Sequence, residues 1–255
     1  MSDWVYRCVN GIGRLLLRLL RVRVVITGVE NLPRTGAVIL AANHVGYPDF
    51  VFIERAAVER GRYVRFLTRY DAWRPGLVAR VLDAMRHIPV DRSVPVAAYL
   101  QARALLREGE AVGIFPEAGI SHSYTVRSLM RGAAALARET GAPVVPVAIW
   151  GSQRIHTVGD PQPPPDLTRG RRVDVAFGEP FRVSAGEDLT EVTARLGQTL
   201  TSLLEQLQLI PEHRPRPGEH ARWYPAHLGG HAPSREAARE LDVVPRSAVP
   251  PSWGP

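Results

Sequence analysis

One cysteine, Cys8, is all the thiol that this 255-residue chain contains. A single thiol closes no internal disulfide and rules out a cysteine-ligated metal cluster, which fits a reducing compartment. Long apolar runs are missing too: a spanning helix needs about 18 to 20 continuous apolar residues, and LLLRLLRVRVV is broken by arginine. No small-residue cleavage site follows that run, so no signal peptide is expected and the body of the protein is expected to be soluble and intracellular. Acidic residues are in deficit, 25 against 32 Lys and Arg, for a formal net charge of +7. Such a surface attracts anions: nucleic acid, anionic lipid headgroups or phosphorylated small molecules. No basic block carries interleaved aromatics and no RNA-binding or zinc-finger signature occurs, so nucleic acid is not an expected partner. The histidines after residue 210 show no metal-ligand spacing, and no metal is expected. There is no G-x-S-x-G elbow to supply a serine nucleophile. What remains, 45% hydrophobic and 22% charged, is ordinary globular composition on a chain long enough to bury a real core.

The front of the chain, DWVYRCVNGIGRLLLRLLRVR, reads as an amphipathic helix within residues 1–21. At about 100° per residue, Arg7, Arg14, Arg18 and Arg21 fall in one arc with Asn10 and Gly11. Trp4, Val5, Val9, Ile12, Leu15, Leu16, Leu19 and Leu20 cover the broad opposite side. This pattern suits a helix lying in a membrane interface, where anionic lipid adds about 1 kcal/mol per basic residue. It also suits a surface helix packed on the protein's own core, its arginines in water.

Residues 22–210 alternate between strand and helix signals. VVITGVENLP is a strand and turn, and GAVILAANH is a continuous apolar run typical of a strand buried on both faces. PDFVFIERAAVERG opens on proline and closes on glycine, as helices do. YVRFLTRY and HIPVDR are short strands around a helix in WRPGLVARVLDAM. VAAYLQARALLREGE is a helix, AVGIFPEA a buried strand, SLMRGAAALARETG a helix and APVVPVAIWG a strand. RRVDVAFGEPFRV reads as an edge strand, and DLTEVTARLGQTLTSLLEQLQL as a closing helix. The expected fold is therefore α/β, a single domain with a mostly parallel or mixed sheet flanked by helices. Residues 211–255 turn to proline, histidine, glycine and charge, and a largely disordered tail is expected.

Ligands of such folds gather at the carboxyl ends of strands. Here NHVGYPD, PVDR and FPEAGIS supply polar residues at three of them. In the first, His44 ends a strand and Asp49 opens a helix across a tight turn. The carboxylate can accept from one imidazole nitrogen and leave the other free to take a proton, with exposure near the loop and the helix N-terminus keeping Asp49 charged. The same spacing also occurs where an aspartate merely starts a helix and a histidine merely ends a strand.

NHVGYPD resembles the NHxxxxD motif of the glycerolipid acyltransferases. MRHIPVDR is similar to that family's second block, IFPEAGIS to its third (usually FPEGTRS) and VVPVAI to its fourth, in the family's order across about residues 35 to 150. The resemblance implies His44 as general base and Asp49 as its orienter. Glu117 of block three would meet the acceptor's hydroxyl and glycerol region, and Gly119 of the same block would be among the substrate-binding residues. Arg92 would help hold the phosphate, with Arg69 and Arg131 at positions where the family carries basic residues. Pro146 would shape the acyl pocket. Where the family has Gly-Thr-Arg, this chain reads Ala118, Gly119, Ile120, so the usual phosphate-binding arginine is missing and Arg127 is the nearest replacement. The implied reaction moves a fatty acyl group from acyl-CoA or acyl carrier protein, as co-substrates without further cofactor, to a lysophospholipid, first 1-acylglycerol-3-phosphate. It would take place at the cytoplasmic side of the cell membrane, on a surface containing anionic lipid. Acyl transfer to a phosphate-free acceptor, thioester hydrolysis and a non-catalytic membrane-associated role are the other readings. Trp73, Leu77, Val81 and Met85, at helical spacing, would line an acyl channel or belong to the core.

Overall fold

A computed structural model describes residues 3–73, 76–91, 94–159, 161–242 and 250–254. Seven strands form one sheet: β1 (Arg23–Thr27), β2 (Val38–Ala42), β3 (Val64–Arg69), β4 (Ile88–Val90), β5 (Ala111–Ile114), β6 (Val144–Trp150) and β7 (Arg172–Phe177). Their order is β1-β7-β6-β2-β5-β3-β4, parallel throughout except for the antiparallel β6–β7 pair. Every residue of β2, β5 and β6 is buried. That is why their sequences are apolar runs without alternation: helices cover both faces of a parallel sheet. β7 lies between β1 and β6 and is not the expected edge strand; β1 and β4 form the edges.

The α-helices are α1 (Asp3–Leu19), α2 (Asp49–Ala57), α3 (Leu77–Ala84), α4 (Pro95–Arg107), α5 (Gly132–Thr140), α6 (Leu189–Gln208) and α7 (Arg235–Leu241). α4, α5 and α6 pack side by side over β4, β5 and β6, while α2 lies against β3 and β7 with α1 behind it. α6 starts where Asp188 accepts from the N–H groups of Thr190 and Glu191, a side-chain cap on otherwise unpaired donors.

Only the start of the apolar face of α1 is packed: Val5 is buried in a small cluster with Tyr6 and Met85, and Val9 packs against it. Tyr6 is buried and its hydroxyl donates to the carbonyls of Val64 and Met85, and Asn10 donates to Glu54 of α2. Trp4, Ile12, Leu15, Leu16 and Leu19 remain more than half exposed. Val81 and Met85 belong to the small cluster under α1, whereas Leu77 of the same stripe is exposed. Among the described residues no helix is long and apolar enough to cross a membrane.

The expectation of a disordered tail is corrected for the part described. His213 is buried against Asp174, and Tyr224 is buried with its hydroxyl donating to the Gln208 carbonyl. The Trp253 ring lies over Gly197 of α6, where a Cβ would overlap it. Composition missed this because a few well-placed rings and alanines anchor a polar segment whose apolar residues have no period.

Candidate active site

β6, β2 and β5 are neighbours, so their carboxyl ends bring three loops together. Asn43, just past β2, is fully buried and spans to β6: its amide donates to the Ile149 carbonyl (3.1 Å) and its carbonyl accepts from the Ile149 N–H (2.7 Å). The strand end is thereby fixed where the turn begins.

The turn places His44 Nδ1 2.8 Å from Asp49 Oδ2. The same oxygen accepts from the N–H groups of Val45 (2.8 Å) and Gly46 (3.0 Å), and Asp49 Oδ1 accepts from the Ser152 hydroxyl. A carboxylate only accepts, so His44 Nδ1–H donates here, and in the neutral ring Nε2 is the nitrogen without a proton. Asp49 is wholly buried, a correction to the expected exposure near the loop. Four donors and the start of α2 compensate it for the lost water. A Cβ on Gly46 would stand 2.9 Å from the His156 carbonyl oxygen and 3.1 Å from the Gln153 nitrogen, so this tight approach requires glycine. Thr157 donates to the Val45 carbonyl at 2.6 Å and closes the turn from the β6 side.

From the β5 side, Phe115 stacks on the His44 ring, centroids 4.1 Å apart and planes 19° off parallel. Phe66 and Phe50 continue the aromatic row, and Phe50 is partly exposed. Glu117 is buried behind this ring. Its two oxygens accept from the His44 N–H (2.7 Å) and the Arg127 N–H (2.9 Å), and the Ser121 N–H donates to the His44 carbonyl. Burial pushes the Glu117 carboxyl up to about 8, while the two N–H groups and the Arg127 charge pull it down. Glu117 thus clamps its loop to the backbone of His44, where contact with the acceptor had been expected.

The remaining expected residues are placed unevenly. Gly119 lies under the Arg127 guanidinium, which would be 3.1 Å from a Cβ there, and the same guanidinium reaches the Ile120 carbonyl. Ala118, at the position where the resemblance has glycine, holds φ 55, a conformation strained for any residue with a Cβ. Arg69 is exposed at the end of β3 and paired with Asp71. Arg131 is exposed before α5. Asp188 is held low by the N–H groups of Glu191 and Thr190, with the Arg131 charge a small contributor. Pro146 is buried within β6 opposite Ala41, not at the carboxyl edge. Arg92 lies outside the described residues. Ser152, Thr157, Phe115 and the cross-strand grip of Asn43 were not anticipated. Ser152, two residues past an apolar strand, carried a weak signal; the others carried none without knowledge of which strands adjoin.

The Acyltransferase family model matches residues 23–150, about half of the chain and all of the site just described apart from Ser152 and Thr157. The 1-acyl-sn-glycerol-3-phosphate acyltransferase of Borreliella burgdorferi is 31% identical over 143 residues, 54% of this chain and 56% of that protein. The Bacillus subtilis protein of the same name is 27% identical over 210 residues, 80% of this chain and 98% of its own length. The chain thus spans about half of the first relative and nearly all of the second. The crystal structure of the 1-acyl-sn-glycerophosphate (LPA) acyltransferase PlsC from Thermotoga maritima superposes with a TM-score of 0.68 at 22% identity, covering 81% of each chain, which is a likeness of fold.

Proposed function

The chain belongs to the Acyltransferase family and is an enzyme of that class, and from that premise we propose that it moves a fatty acyl group from acyl-CoA or acyl carrier protein to a lysophospholipid. The first acceptor is 1-acylglycerol-3-phosphate, for which its relatives in Borreliella burgdorferi and Bacillus subtilis are named. One observation carries the reading: His44 is oriented by a buried carboxylate, flanked by an aromatic wall, and has Nε2 unpaired among the described residues.

The acceptor hydroxyl is far too weak an acid for imidazole to ionise beforehand. Nε2 takes its proton as the oxygen attacks the thioester carbonyl, a contribution of about 10²- to 10⁴-fold. A C–O bond forms, the C–S bond breaks, and the imidazolium returns the proton to the departing thiolate. A thioester is already activated, so the step requires no metal, further cofactor or covalent acyl-enzyme. Phe115 and Phe50 provide apolar surface beside the base for the acyl chain. The exposed apolar side of α1, rimmed by Arg7, Arg14 and Arg18, supports a peripheral position on anionic lipid at the cytoplasmic face of the cell membrane.

Purified full chain with labelled acyl-CoA is offered lysophosphatidate, other lysophospholipids and monoacylglycerol, and acyl-lipid is scored against free fatty acid. Lysophosphatidate acylated fastest supports the proposal. Free acid as the main product makes water the acceptor, and preference for monoacylglycerol removes the phosphate from the recognised group.

A further inference from the structure

Apart from the His44–Asp49 pair, a second polar cluster joins distant parts of the chain. Asp242, just after α7, directs one oxygen, Oδ1, at three donors from the loop after β5. These are His122 Nδ1 at 2.8 Å, the His122 backbone N–H at 3.3 Å and an Arg127 guanidinium nitrogen at 3.3 Å. The donors are held rigidly. The Arg127 side chain is 7% exposed, lies over Gly119 and has its backbone tied to Glu117. His122 follows Ser121, whose N–H is bonded to the His44 carbonyl. The loop that carries the cradle is therefore clamped to the separate loop, after β2, that carries His44.

Asp242 is held far less firmly. It ends a seven-residue helix of which Ala238 is the buried residue, so lifting it uncovers little apolar area. Three donors converging on one anionic oxygen, two of them from an imidazole and a guanidinium, match what a phosphate oxygen takes as well as a carboxylate oxygen.

We propose that Arg127, His122 Nδ1 and the His122 N–H form the site for the acceptor's anionic headgroup, and that Asp242 occupies it until a phosphate displaces the carboxylate. The proposal rests on the reading of the acceptor as a lysophospholipid. It also accounts for Ile120: the cation comes from Arg127, whose guanidinium reaches the Ile120 carbonyl. A phosphate brings more charge and more acceptor oxygens than Asp242, but Asp242 is tethered and competes at high effective concentration. That competition raises the KM for the acceptor.

The test uses the full chain as wild type, Asp242→Asn and Arg127→Gln. Asp242→Asn lowers the KM for lysophosphatidate about tenfold, and Arg127→Gln raises it by about the same factor, each being one charge-assisted contact. The KM for acyl-CoA moves in neither. Titration with inorganic phosphate, followed by thermal shift against chloride of equal ionic strength, stabilises Asp242→Asn at about tenfold lower concentration than wild type. Should Arg127→Gln not fold, His122→Gln, on the more exposed side of the cradle, carries the same expectation. An acceptor KM in Asp242→Asn that stays level or rises overturns the proposal and leaves Asp242 as a pin for the tail. A wild type that acylates no lysophosphatidate defeats the functional reading instead. The phosphate titration then decides the cradle, tighter binding in Asp242→Asn supporting it and equal binding overturning it.

Discussion

Replacing Asp49 by asparagine separates two services that a carboxylate renders a catalytic histidine, holding its orientation and countering its charge. Asp49 Oδ2 takes three N–H donors, from His44 Nδ1, Val45 and Gly46, and Oδ1 takes the Ser152 hydroxyl. An amide has one carbonyl oxygen for these two positions. With its NH₂ turned to the three donors, two buried backbone N–H groups lose their acceptor, at about 1 to 3 kcal/mol each. Turned the other way, all three keep an acceptor, and the NH₂ meets a serine hydroxyl that can rotate to accept. The second orientation wins, so His44 keeps its proton on Nδ1 and Nε2 stays bare. What disappears is the negative charge opposite the imidazolium that forms during reaction. Hydrogen bonds to charged groups are worth about 1.5 to 3 kcal/mol against about 0.5 to 1.5 for neutral pairs. The barrier therefore rises about 1 to 2 kcal/mol, and kcat falls about 5- to 30-fold. His44→Ala removes the proposed base and should lose about 10²- to 10⁴-fold. Steady-state acyl transfer on both variants, with thermal unfolding as a control for folding, gives the comparison. Asp49→Asn as inactive as His44→Ala would refute the backbone lock on the amide. Asp49→Asn at wild-type rate would refute the dyad.

Two further outcomes follow from the same geometry. Glu117 holds its proton up to about 8, against an ordinary value of 4.5. The folded chain thus binds that proton more tightly than the unfolded one, and this contribution to stability is full below the unfolded value and is lost as pH rises through the folded one. Glu117→Gln removes the dependence, so its Tm relative to wild type should climb from about pH 5 to about pH 9; a constant difference over that range would mean that Glu117 is ionised throughout. On α1, Leu15 and Leu16 are 57% and 54% exposed. Changing both to glutamate should leave stability within about 0.5 kcal/mol per site but abolish sedimentation with vesicles containing anionic lipid; undiminished sedimentation would sink the interfacial role of this helix.

Much of the fold was readable because buried parallel strands and capped helices write themselves locally. β2, β5 and β6 are apolar runs for the reason that helices cover them, and α2 is bounded by Pro48 before it and Gly61 after its last turn. The His44–Asp49 pairing was readable too, since five residues and one turn determine it. What could not be read is adjacency. β6 and β5 flank β2 through long crossovers, so nothing near His44 in sequence announces Ser152, Thr157 or Phe115. The inward turn of Glu117 escaped for a related reason: a strand-end carboxylate faces substrate or backbone according to which N–H groups its neighbours offer. The likeness to a family block supplied the residue but not its direction.

A turn that merely joined a strand to a helix would satisfy its histidine as it satisfies everything else. Around this one, Asn43 uses both ends of its amide on β6, Asp49 takes four donors, Glu117 spends both oxygens on backbone N–H groups, and Thr157 holds the Val45 carbonyl. His44 Nε2 has no partner among the described residues, on a ring fixed by stacking on one side and by a carboxylate at the other nitrogen. On a side chain 18% exposed, that nitrogen is open to solvent, and this is the position from which the proposed reaction has it receive the acceptor's proton.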